Sequence, residues 1–164
     1  MGLAWLSLTI RQAFHAPDLS AGGAGLTEFS LNIIAWILIA AGLRRRYPAT
    51  GAPVIRSVEN LLLGGAVLLY AAMPLALRNP WWGADAEPIG GALFFNMTLF
   101  HFAAPTLALA VAANAAQVSG ATARSRTLGL GGAFAGLVFL VMQVRHAFHA
   151  PDLASGGAGL AEGW

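Results

Sequence analysis

Arg11, His15, Asp18 and Glu28 fall within one short stretch, and the set recurs as Arg145, His149, Asp152 and Glu162. The stretches read R-Q-A-F-H-A-P-D-L-S-A-G-G-A-G-L-T-E and R-H-A-F-H-A-P-D-L-A-S-G-G-A-G-L-A-E. They are identical at 14 of 18 positions at an offset of 134 residues, which marks an internal repeat. Arg11 and His15 lie four apart, as do Arg145 and His149, so each pair shares a helix face. Glu28 and Asn32 share a face of the helix that follows, and Asp18, after Pro17, is placed to cap or turn the chain. Converged at a membrane rim, these groups could hold a ligand or handle a proton, because His titrates near neutral pH. They could equally form a structural clasp, Arg pairing with Glu or Asp across a glycine-rich turn. Duplication favours the clasp, since a joint is more naturally used twice than an active site. The spacing matches no established metal motif.

A second group is Asn96, Thr98 and His101 in F-F-N-M-T-L-F-H-F-A-A-P. Polar groups at membrane depth are costly and face the bundle interior, which makes this a candidate lining for a solute or proton path. The competing account is a neutral His101 bonded to a facing carbonyl, with Asn96 joining two helices at about 0.6 kcal/mol. No acidic residue shares this span, and Glu59 is expected at a different depth.

Composition sets the medium in which these groups work. Hydrophobic residues make up 57% and charged residues 10%, with mean hydropathy +0.67. A soluble domain carries about 25% charged residues, so the chain reads as an integral membrane protein. The net charge of +2 rests on nine scattered arginines and excludes a nucleic-acid face. Without cysteine there are no disulfides, thiolate metal sites or thiol nucleophiles. There is no Walker loop, G-x-S-x-G, His-x-x-x-His pair or voltage-sensor arginine series. No catalytic residue, metal or cofactor is expected.

The expected fold is all-α, a polytopic bundle over 1–164 treated as one region. Apolar runs predict a partial helix at 2–15 and full spans near 26–43, 58–77, 90–113 and 127–148, with a loop at 117–126. The N-terminus lacks a basic leader and reads as the second half of a membrane helix. Pro74 is expected to kink the last turns of its span, and Pro105 to be tolerated inside its span where neighbours satisfy the freed carbonyl. Gly132 and Gly136 form a G-x-x-x-G that lets a helix approach closely; Gly129 with Ala133, and Gly64 with Gly65, are similar small-residue sites.

Four spans per period make the repeats parallel. Six arginines (Arg44, Arg45, Arg46, Arg56, Arg124, Arg126) then fall on one side and three (Arg11, Arg78, Arg145) on the other. The positive-inside bias makes the first side cytoplasmic and the repeated loop extracytoplasmic, with Trp81 and Trp82 in an interfacial belt. Starting and ending within repeat units, the chain is expected to be a fragment of a longer protein.

The pattern R-x-A-F-H-x-P-x-L, a glycine-rich loop and Glu, together with the Asn96–Pro105 span, resembles a large bacterial multi-pass membrane family catalogued as domain of unknown function 2339. The resemblance implies an inner-membrane protein with many spans, in contact with lipid and with further helices or subunits. It supplies no catalytic residue. Three functions are expected, in order: a non-enzymatic envelope scaffold or accessory protein; a small-solute or proton transporter; and an enzyme acting at the extracytoplasmic face on a lipid-linked or polysaccharide substrate.

Overall fold

The computed structural model describes residues 2–16, 25–48, 53–81, 92, 95–149 and 153. These residues are helical, with no strand among them. Helix α1 is Gly2–His15, α2 Leu26–Arg46, α3 Pro53–Ala72, α4 Ala104–Val118 and α5 Thr122–His149. Two π-helical turns, Met73–Leu77 and Leu99–Ala103, extend α3 and precede α4. Four helical stretches are long and apolar enough to cross a membrane: Leu26–Arg46, Pro53–Leu77, Leu99–Val118 and Thr122–His149. Helix is the open-ended solution in hydrocarbon, because each backbone polar group is satisfied within its own segment.

Local sequence explains where each helix starts and stops. Glu28 in the first turn of α2 and Arg44–Arg46 in its last both complement the helix dipole. Helix α3 begins at Pro53, ahead of the predicted 58, because proline is suited to the first helical position. Helix α4 ends in a Schellman turn: Ala121 N–H reaches Ala116 O, Gly120 N–H reaches Gln117 O, and Gly120 has φ +78°. The chain re-enters helix at Thr122. The connection therefore spans only 119–121, not the predicted 117–126. The polar residues that suggested a longer loop, Thr122 to Arg126, form the first turns of α5.

Both π turns accompany a proline. Pro74 lies inside the first, where Arg78 N–H bonds Met73 O five residues back. Pro105 follows the second, where Ala104 N–H bonds Leu99 O. Proline removes one backbone donor and its ring presses on the preceding turn, and a widened turn relieves that pressure. The third span runs on to Val118, past its predicted end at 113, and most of the predicted start, 90–94, lies outside the described residues.

Helix α2 sits between α3 and α4, α5 packs on α4, and α1 rests against the first turns of α2. The packing order α3–α2–α4–α5 is an open arc, with no extensive contact between α3 and α5. Ile33, Ile37, Leu62, Ala66, Ala108 and Ala112 lie in the core. Leu61, Leu68, Leu107, Leu130 and Leu137 are exposed, an apolar surface suited to lipid. The G-x-x-x-G faces α4 as expected: a Cβ at Gly132 would meet Leu109 Cβ at 3.5 Å, and one at Gly136 would meet Thr106 Cγ2 at 3.4 Å. Gly65 carries the edge of the Trp36 ring at 2.9 Å from where its Cβ would stand, while Gly64 and Gly129 meet open space.

Candidate functional site

The predicted rim and span residues sort into two polar centres at one end of the bundle. A third, unforeseen, occupies the other end.

At the rim, Glu28 is the hub. Its side chain is 8% exposed and receives Arg11 Nη1 at 3.3 Å and His15 Nε2 at 3.1 Å. An ionised carboxylate only accepts, so His15 Nε2 is the donor. One turn further along, Asn32 Oδ1 accepts from Ser7 Oγ at 2.8 Å, and Asn32 Nδ2 donates to Glu28 O at 3.0 Å. Ser7, Arg11 and His15 recur every four residues and form the face of α1 that meets α2. Arg11, His15, Glu28 and Asn32 thus converge, while Asp18 lies outside the described residues. In the second copy, Arg145 is buried with Nε donating to Leu153 O at 2.8 Å and its guanidinium 4.9 Å from the Trp81 ring centre. That stacking suits a delocalised cation. His149 ends α5 half-buried; Asp152, Glu162 and Trp82 lie outside the described residues. Among the described residues no cluster of three His, Asp or Glu could hold a metal.

The span residues point in two directions rather than toward one path. Thr98 Oγ1 donates to Asn96 Oδ1 at 2.5 Å and accepts from Gln143 Nε2 of α5 at 2.7 Å. Asn96 Nδ2 donates to Gln143 Oε1 at 3.3 Å and lies 3.5 Å from His146 Nδ1. Thr98, Gln143 and His146 are buried. His101, 1% exposed, turns instead to α2, its Nε2 3.2 Å from Thr27 Oγ1. Gln143 and His146 escaped the sequence reading. Gln143 lies near the end of a long apolar run in the last predicted span, and His146 sits where the two repeat copies differ.

At the opposite end, Glu59 is buried between two arginines. Arg44 holds it with a two-pronged contact, Nε to Oε1 at 2.9 Å and Nη2 to Oε2 at 2.7 Å. Arg124 adds Nη1 to Oε1 at 2.8 Å and also bonds Asn60 Oδ1. Arg45 Nη2 donates to Asn114 Oδ1 at 2.8 Å, linking α2 to α4. The available signal was a carboxylate set one turn inside an arginine-flanked span, where only cations stand close enough to pair with it. Comparison of the chain with family models, with curated proteins and with solved structures gives no match in any of the three.

Proposed function

We propose that this chain is a non-enzymatic scaffold unit of a multi-pass inner-membrane protein, with the repeated Arg–His–Glu stretch as its joint. One observation supports the reading above others: the Glu28 carboxylate takes both Arg11 and His15. The residues best able to do chemistry at the rim are engaged with each other across α1 and α2. His101 likewise bridges two helices through Thr27. The end bearing Arg44–Arg46, Arg56, Arg124 and Arg126 is cytoplasmic by the positive-inside bias.

The test is genetic. Full-length protein carrying His15→Ala and His101→Ala should reverse every phenotype of a deletion strain at unchanged membrane abundance. Normal abundance without rescue would sink the scaffold reading.

The buried set Asn96–Thr98–Gln143–His146 favours a second reading, passage of a proton or small polar solute between α5 and the third span. It predicts proton flux in proteoliposomes that Gln143→Leu abolishes. The scaffold reading predicts no flux in either protein.

A further inference from the structure

The arginine end holds a cavity that neither the joint nor the polar core uses. Arg44, Arg56 and Arg124 stand on its wall with Thr122 and Ala123, around about 460 Å³. Glu59 answers Arg44 and Arg124, and Arg56 brings a third guanidinium to the same wall. The first turn of α5 carries no acidic residue, and Ala121 before it offers no side-chain acceptor, so the helix start adds to the positive potential.

This cavity continues down the bundle. It shares Ala123 and Arg124 with a second space of about 710 Å³, walled also by Gly64, Val67 and Leu128. That space shares Val67, Thr127 and Leu128 with a third, of about 320 Å³, reaching Tyr70 and Phe134. All three follow the seam where α3 and α5 make little contact beyond the bonds of Arg124 to Glu59 and Asn60. From Arg124 to Phe134 the seam descends about 15 Å at the helical rise. That is one leaflet of a ~30 Å hydrocarbon core. A basic pocket at the water boundary, opening onto an apolar slot one leaflet deep, has the shape and charge order of an amphiphile with an anionic head.

We propose that this seam is a specific site for one anionic phospholipid, its phosphate against Arg44, Arg56 and Arg124 and an acyl chain along the slot between α3 and α5. Two of these arginines also hold Glu59, so the lipid would lock α2, α3 and α5 together at one end.

The test uses the purified full chain in neutral detergent. It is titrated with phosphatidylglycerol, phosphatidylcholine or inorganic phosphate, and bound lipid is counted by native mass spectrometry. Phosphatidylglycerol should bind one per chain, about tenfold or more tighter than phosphatidylcholine, because guanidiniums on the wall favour an anionic head. Arg56 is exposed on the pocket wall. Arg56→Gln should weaken phosphatidylglycerol about fivefold without touching phosphatidylcholine. Arg126→Gln, off the pocket wall, should change neither. Gly64→Phe should weaken both lipids, because a side chain there enters open space within the slot while the fold is kept. Equal affinity for the two lipids overturns the proposal, as do equal losses in Arg56→Gln and Arg126→Gln, which signify diffuse surface charge. Competition by inorganic phosphate together with an unaffected Gly64→Phe means a soluble anion only, and also overturns it.

Discussion

Glu59→Gln tests the energetics of the arginine end most directly. Arg44 and Glu59 are 7% and 4% exposed and share two contacts of 2.9 and 2.7 Å. Neutralising Glu59 leaves the Arg44 guanidinium buried without its counter-charge. Breaking a buried pair from one side costs about 3–5 kcal/mol. Arg124 adds little to that figure, because its side chain is 29% exposed and water can replace the carboxylate. About 3 kcal/mol corresponds to a fall in Tm of roughly 6–12 °C in a chain of this size, by the scaling for globular domains. The assay is thermal unfolding in detergent, followed by helical circular dichroism. The double variant Arg44→Met with Glu59→Leu should recover most of the loss, since a buried pair replaced as a unit by apolar side chains is close to neutral. A Tm for Glu59→Gln within about 1 °C of the parent would refute the argument. It would mean that water reaches this pair and that its burial is not an energetic fact. A double variant no better than the single would refute it from the other side.

Three further outcomes follow from the remaining contacts. Glu28→Gln removes the partner of Arg11 and His15 and should free α1 while sparing α2–α5; hydrogen exchange at 2–15 should rise at least about tenfold, the equivalent of about 1.4 kcal/mol. Gly132→Ala should be neutral or slightly stabilising, as its methyl would make an ordinary 3.5 Å contact, whereas Gly132→Leu should lower stability by about 1–3 kcal/mol through overpacking against α4, both read as Tm. A double-mutant cycle over Thr27→Val and His101→Ala should give a coupling of about 0.6 kcal/mol, typical of hydrogen bonds between membrane helices; a coupling of zero would mean the 3.2 Å contact is geometric only.

Much of the architecture could be read from the residues because membranes impose a narrow grammar. Long apolar runs became helices, and Arg44–Arg46 marked an end because cations suit a helix C-terminus and an interface. The G-x-x-x-G at Gly132 met a neighbour because helices in lipid need close backbone approach. Boundaries were less legible at 58 and 117–126. Pro53 and Gly120 act through cap geometry that hydropathy does not record, and Thr122 and Ser125 looked like loop although they lie in the first turns of α5. At the candidate site, spacing brought out Arg11, His15, Glu28 and Asn32, since contacts four residues apart are local. Asn96 and His101 could be picked out but not assigned partners. Whether each meets Gln143 or Thr27 depends on helix rotation, which a single chain read in line does not contain. Glu59 was set aside for the same reason, its two cations arriving from helices far along the chain.

The π turn at Leu99–Ala103 carries a consequence for phase. One surplus residue in a helical turn rotates everything beyond it by about 100° relative to an unbroken helix. Asn96 and Thr98 precede the turn and meet α5, while Ala108 and Ala112 follow it and lie in the core. Removing one residue between 99 and 103 would straighten the helix and dial Asn96 and Thr98 about a quarter-turn off Gln143, with every side chain still present. The turn acts as a phase-shifter, setting which side chains of one span meet α5 on either side of it.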